Sequence, residues 1–188
     1  MTKDCPVEIL QYAWEFDIVI DLYKRVKPKT VLEIGSLYGG TLYHWLNKGE
    51  ADLSVLSIDL FSTVDFDETK KLWESWKGNR QQLKVLKGNS TSAEIFETVI
   101  NEFKNGIDWL FIDGDHSYEG VKIDYQNYFP LLSENGYCVF HDIVGENGVS
   151  KFWNELKRSL NANYPVIEIC HSKYNLGIGV IQKWVRNE

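Results

Sequence analysis

Val31-Leu32-Glu33-Ile34-Gly35-Ser36-Leu37-Tyr38-Gly39-Gly40-Thr41 is the stretch on which the reading of this chain turns. Val31–Ile34 is a short apolar run of strand type, and Gly40–Asn47 begins a helical pattern. Between them lie small residues, which let a backbone approach a ligand closely and adopt turns that a side chain would forbid. The spacing departs from the dinucleotide fingerprint G-x-G-x-x-G, because Leu37 falls where a glycine would clear a pyrophosphate. A plain reading stays beside the ligand-binding one: a glycine turn that tightens a strand-to-helix junction.

Working outward, the same alternation repeats. Ser54–Ile58, Leu83–Leu86, Trp109–Ile112 and Tyr137–Phe140 read as strands. Helical segments fall between them at Asp67–Trp76, Ala93–Phe103 and Gly120–Leu132, with another at Gly148–Leu160. Strands that alternate with helices predict an α/β parallel sheet with crossover helices. Val166–Cys170 and Ile178–Gln182 leave no room for a helix, which predicts an antiparallel hairpin at one edge. Upstream, apolar residues from Val7 to Val26 recur at helical intervals until Lys27-Pro28-Lys29-Thr30, predicting one or two packing helices. The expected organisation is one domain over 1–188, with an N-terminal helical segment over 1–29 and an α/β/α core over 30–188.

Composition narrows the function. The 188 residues are 44% hydrophobic and 25% charged, a balance that supports one globular core, and the net charge of −7 offers no broad basic surface for nucleic acid. Cys5, Cys138 and Cys170 are odd in number and widely spaced, which argues against a disulfide framework or zinc knuckle. The start, Met1-Thr2-Lys3-Asp4-Cys5-Pro6, lacks the pattern of a signal peptide, and no apolar run reaches membrane-spanning length. The expectations are a cytoplasmic protein, no membrane or nucleic-acid partner, and a small-molecule substrate, with homo-oligomerisation left open.

Polar residues gather at the strand ends. Asp59, followed by Leu60, ends the second strand, where a carboxylate can accept both hydrogen bonds of a ribose diol. Gly88-Asn89-Ser90 follows the third strand and offers an amide and a hydroxyl, although each feature also reads as a capping turn. The densest cluster is Asp113-Gly114-Asp115-His116, with His141-Asp142 ending the next strand. Neighbouring strands lie about 4.8 Å apart, so Asp113, His141 and Asp142 can share one cation. The alternatives are a packed His141 ring, Asp142 capping a turn, and Asp115 capping the Ser117–Leu132 helix.

Glu33 to Thr41, Asp59 and Gly88-Asn89-Ser90 together resemble the successive cofactor motifs of class I S-adenosylmethionine-dependent methyltransferases, over roughly residues 28 to 184. The resemblance implies a Rossmann-like sheet of seven strands in the order 3-2-1-4-5-7-6, with strand 7 antiparallel. It implies that Glu33, Gly35, Ser36, Gly39, Gly40 and Thr41 face the methionine part of the cofactor. Asp59 and Leu60 then hold the ribose, Asn89 and Ser90 lie near the adenine, and Asp113 is a further cofactor-binding residue. The segment around Asp113 resembles the branch of catechol, macrolide-sugar and cephamycin-type methyltransferases, in which a divalent cation assists O-methylation. On that resemblance Asp113, His141 and Asp142 are the metal ligands and His116 stands where the catechol enzymes keep a lysine base. His141 departs from the branch's usual oxygen ligands, and an imidazole moves preference from Mg²⁺ toward Mn²⁺, Fe²⁺ or Zn²⁺.

Other functions stay open on the sequence alone. They are a metal-independent methyltransferase, N-methylation, a non-catalytic S-adenosylmethionine-binding protein, an NAD-dependent oxidoreductase and a metal phosphohydrolase. Tyr38, Tyr43, Trp45, Phe61, Phe66, Trp73 and Trp76 read mainly as core, with the long connector Phe61–Asn79 as a candidate lid.

Overall fold

Val31 pairs in parallel with Val55 on one side and with Trp109 on the other, so the strand carrying the glycine turn lies inside the sheet. The computed structural model describes residues 4–160, 164–171 and 173–184; Met1, Thr2 and Lys3 of the N-terminal reading lie outside the described residues. The strands are β1 (Thr30–Ile34), β2 (Ser54–Asp59), β3 (Gln82–Lys87), β4 (Ile107–Ile112), β5 (Leu132–His141), β6 (Val166–Ile169) and β7 (Ile178–Gln182). The helices are α1 (Ala13–Val26), α2 (Gly40–Lys48), α3 (Phe66–Glu74), α4 (Ala93–Glu102), α5 (Tyr118–Tyr128) and α6 (Gly148–Ser159). One seven-stranded sheet runs β3-β2-β1-β4-β5-β7-β6, with β7 antiparallel to both neighbours, which is the expected Rossmann-like order.

Both faces of the sheet are covered, which explains why its central strands are almost wholly apolar. Val31, Val55, Trp109, Val139 and Val180 point toward α1 and α2, where Phe16, Val19, Ile20, Tyr23 and Trp45 meet them. Leu32, Leu56, Leu110, Cys138 and Ile181 point to the opposite face, against α4, α5 and α6. Each fully buried large side chain contributes roughly 1.5–3 kcal/mol. Trp45 and Trp73 are fully buried and Phe61 nearly so, as the core reading of those aromatics expects.

Two helix boundaries and one cap differ from expectation, and β5 begins at Leu132, ahead of the expected Tyr137. Helix α1 begins at Ala13, not near Val7; the preceding residues form no helix, and Leu10 is 54% exposed. Their backbone lies against the start of α2, where a Cβ on Gly40 would come within 2.6 Å of the Glu8 carbonyl oxygen. Helix α5 ends at Tyr128 and a 3₁₀ turn, Phe129–Leu131, replaces its expected last turn, because Pro130 has no N–H to continue the ladder. The cap of α5 is Ser117, whose Oγ accepts the Gly120 N–H at 3.0 Å; Asp115 Oδ1 accepts the Ser117 N–H just before it. The three cysteines are unpaired, and among the described residues no helix is long and apolar enough to cross a membrane.

Candidate functional site

The carboxyl ends of β1, β2, β4 and β5 open into one cavity of about 760 Å³. Gly35 has φ +84° and lies so near β4 that a Cβ would sit 2.1 Å from the Asp113 carbonyl oxygen. Only glycine meets both conditions. Gly39 has φ +86° and is pressed against the Trp73 indole, so its role is in packing and it does not line the cavity.

Glu33 is fully buried beneath the turn and is absent from the cavity wall. It accepts hydrogen bonds from Ser36 Oγ at 2.9 Å, from Trp45 Nε1 at 3.2 Å and from Thr41 Oγ1. Those bonds fasten the turn to the first turn of α2. Burial pushes the Glu33 carboxyl up to about 7 against the pull of these donors.

Asp59 Oδ2 accepts the backbone N–H groups of Ser36 and Leu37, each at 2.9 Å, and Oδ1 accepts that of Phe61 at 2.7 Å. A carboxylate oxygen takes about two donors, so Oδ2 is filled and Oδ1 keeps one place. Asp59 therefore keeps room for one further donor, fewer than the two that the expected acceptance of a ribose diol needs. Asn89 Oδ1 accepts the Thr91 N–H and hydroxyl, which leaves its amide N–H groups free of that turn. Gly35, Ser36, Gly40, Thr41, Asp59, Leu60, Asn89 and Ser90 all line the cavity.

At its other end the cavity is bounded by Asp113, His116, His141 and Asp142. His141 is 4% exposed; its Nδ1 lies 3.2 Å from Asp113 Oδ1 and 3.4 Å from Asp142 Oδ1. Its Nε2 makes no well-aligned hydrogen bond and faces Glu15 Oε1 at 3.4 Å. Burial pulls the His141 pKa down, but the charge and hydrogen bond of Asp113 and the close approach of the Asp142 and Glu15 carboxylates outweigh it and hold the imidazole well above its ordinary value. Asp113 goes the opposite way: burial raises it, yet His141 and His116 hold it below the usual carboxylate range. His116 is about half exposed, with Nε2 3.3 Å from Asp142 Oδ2 and 3.5 Å from Asp113 Oδ1, and bonding to Asp113 raises its pKa.

The ligand atoms offered by Asp113, His141 and Asp142 lie within 4.8 Å of one another. Asp142 Oδ1 is buried without a hydrogen-bond partner, an atom that a cation would satisfy. Two carboxylates and an imidazole are a suitable donor set for a divalent metal.

Sequence reasoning missed the N-terminal wall. Glu8, Ile9, Leu10 and Gln11 line the cavity from above, and Gln11 Nε2 donates to Asp113 Oδ2 at 2.7 Å. Glu15 was also missed, although an acid on the same helical face as Val19 is a visible anomaly in an otherwise buried stripe.

The chain belongs to the methyltransferase-domain family, whose model matches residues 32–143. Over 114 residues it is 32% identical to an uncharacterized protein of Acanthamoeba polyphaga mimivirus, covering 60% of this chain and 51% of that protein. Over 155 residues it is 26% identical to an uncharacterized protein of Sinorhizobium fredii (strain NBRC 101917 / NGR234), covering 76% of this chain and 17% of that one. The chain therefore spans about half the length of the first relative and a smaller part of the second. Among solved structures, it resembles a Staphylococcus aureus protein provisionally designated a caffeoyl-CoA O-methyltransferase, with TM-score 0.71, 20% identity and coverage of 94% and 86% of the two chains. It also resembles the O-methyltransferase TomG of Streptomyces achromogenes, involved in tomaymycin synthesis and solved with S-adenosylmethionine, with TM-score 0.69, 16% identity and coverage of 97% and 83%. An O-methyltransferase of Bacillus cereus, solved with S-adenosylhomocysteine, gives TM-score 0.67 at 14% identity, covering 96% and 85%. These likenesses are of fold.

Proposed function

We propose that this chain binds S-adenosylmethionine and transfers its methyl group to a hydroxyl of a small-molecule acceptor, with a divalent cation held by Asp113, His141 and Asp142. The observation that carries the reading is the joining of the Gly35–Thr41 turn, Asp59 and Asn89-Ser90 into one cavity with the acidic histidine cluster at its far end. The cofactor-bound states of two fold neighbours support the choice of cofactor.

In this reading the backbone of the turn and Thr41 receive the methionine part, Asp59 Oδ1 takes one ribose hydroxyl, and Asn89 and Ser90 meet the adenine. Glu33 and Gly39 act on the turn from behind. A bound cation would lower the pKa of an acceptor hydroxyl by stabilising the developing oxyanion. His116 receives the proton, since it reaches the cluster from a half-exposed position through which the proton can pass to water. Holding acceptor and methyl donor in line supplies much of the remaining rate.

The cavity wall also limits the acceptor. Among the described residues it includes five acidic side chains, Glu8, Asp59, Asp113, Asp115 and Asp142, beside His116 and His141, and no Lys or Arg, a balance that favours uncharged or cationic acceptors over phosphorylated ones. Release of S-adenosylhomocysteine across a panel of catechols, sugars, amines and their phosphorylated counterparts tests the reading. Turnover with uncharged hydroxyl compounds is expected. Turnover confined to phosphorylated acceptors would refute the charge argument, and cofactor binding without turnover on any of them would favour a non-catalytic binding protein.

A further inference from the structure

The N-terminal segment touches two of the three candidate ligands, each on the atom that the cluster itself does not use. Gln11 Nε2 donates to Asp113 Oδ2, while Asp113 Oδ1 is the oxygen that faces His141 Nδ1. On the other side of the imidazole, Nε2 faces Glu15 Oε1. Glu15 is fully buried and its orientation is fixed from two further directions: Oε1 accepts the Tyr12 N–H at 3.1 Å, and Oε2 accepts the Gly177 N–H at 3.2 Å. A carboxylate buried this completely is costly unless it is paired, and two neutral amides are modest partners. His141 is the charged-type neighbour that completes its surroundings.

We infer that Glu15 is a positioning residue that retains the Nε2 proton of His141 when the ring gives up its other proton to a cation, so that Nδ1 is the nitrogen presented beside Asp113 Oδ1 and Asp142 Oδ1. With Gln11 engaging the second oxygen of Asp113, the N-terminal segment aims two ligands at one divalent cation.

A neutral imidazole carries one proton, and the nitrogen facing the better acceptor keeps it. Two carboxylate oxygens stand at Nδ1, at 3.2 and 3.4 Å, and both draw the proton to that side. With the proton there, His141 would donate to Asp113 and offer no ligand atom. Glu15 is the group that competes from the opposite edge. A carboxylate behind a ligating histidine both fixes the tautomer and strengthens the ligand, and its loss typically weakens metal binding by about 10–100-fold. The 3.4 Å separation is at the outer edge of hydrogen-bond distance, so the contact is one that ligation would tighten.

This inference rests on the cation reading above, and the test separates the two. Mn²⁺ binding to the full chain is measured by electron paramagnetic resonance of the free ion, for wild type, Glu15→Gln and Gln11→Ala. S-adenosylhomocysteine binding to wild type and Glu15→Gln is measured in parallel. Glu15→Gln is expected to raise the Kd for Mn²⁺ by roughly 10–100-fold and to leave the S-adenosylhomocysteine Kd within about twofold, and Gln11→Ala to raise the Mn²⁺ Kd less. A folded Glu15→Gln chain with unchanged Mn²⁺ affinity overturns the inference alone. A wild-type chain that binds no Mn²⁺ overturns the cation reading and this inference together, while the cofactor reading stands or falls on S-adenosylhomocysteine. If Glu15→Gln does not fold, the histidine-ring ¹H–¹⁵N spectrum of wild type with the diamagnetic Zn²⁺ decides: a proton on Nε2 is expected, and a proton on Nδ1 overturns the assignment.

Discussion

Asp59 Oδ2 lies 2.9 Å from the backbone nitrogen of Leu37, so the carboxylate that ends one strand braces the turn that follows its neighbour. Leu37 has φ +48°, a conformation that a leucine seldom adopts unaided. The bond to Asp59, repeated at Ser36, is what holds it there. Asp59→Ala is therefore expected to act twice. It should weaken S-adenosylhomocysteine binding by roughly 1.5–3 kcal/mol, the scale of lost charge-assisted hydrogen bonds, and should also lower thermal stability without ligand. Calorimetry and thermal unfolding of the same variant check both; unchanged affinity removes Asp59 from the site.

Glu33 gives a pH signature that belongs to the turn. Its folded carboxyl titrates at about 7 because burial disfavours the charge, whereas the unfolded chain returns it to about 4.5. Between those values the folded state binds more protons, so Glu33's contribution to stability is present at low pH and is lost as pH rises through that window. The swing is roughly 3 kcal/mol at about 1.4 kcal/mol per unit. Glu33→Gln removes it, so the variant should gain stability relative to wild type as pH rises from about 4.5 to about 7. Denaturant unfolding at several pH values measures this, and parallel curves would contradict it.

The raised pKa of His141 means that a cation must displace a proton to reach Nδ1. Mn²⁺ affinity should accordingly increase with pH, by about tenfold per unit where one proton is displaced, and chelation should abolish methyl transfer. A Kd independent of pH, or activity that survives exhaustive chelation, counts against ligation by His141.

His116 stands within 3.5 Å of both Asp113 and Asp142 and is the group best placed to take a proton from a substrate bound beside them. His116→Ala should lower the transfer rate by ~10²–10⁴-fold while leaving S-adenosylhomocysteine affinity nearly intact. Near-normal turnover in that variant would assign proton removal to solvent.

Much of this arrangement is legible in the sequence. Alternating apolar runs and helical segments gave the order of elements, and Val166–Cys170 with Ile178–Gln182 gave the hairpin, because strand pairing leaves a local pattern. Asp113, His141 and Asp142 are legible as a cluster because they stand at the carboxyl ends of two strands, β4 and β5, that lie side by side. The role of Glu33 was not, since the residues motif gives position along the chain and not the side of the turn to which a carboxylate points. Gln11 and Glu15 were harder still. Their partners Asp113 and His141 lie more than a hundred residues away, and residues 7–12 follow a non-helical path that brings Glu8 and Ile9 against Gly40, a contact that no local pattern announces. Pro130, by contrast, was a local signal that the helix before it stops early.

The central claim is that this cavity holds S-adenosylmethionine, and titration calorimetry of the wild-type chain with S-adenosylhomocysteine, with NAD as the comparison ligand, tests it most directly. Saturable binding of S-adenosylhomocysteine at one site, weakened by Asp59→Ala and absent for NAD, is the predicted result. Saturable binding of NAD with no heat from S-adenosylhomocysteine would contradict the account.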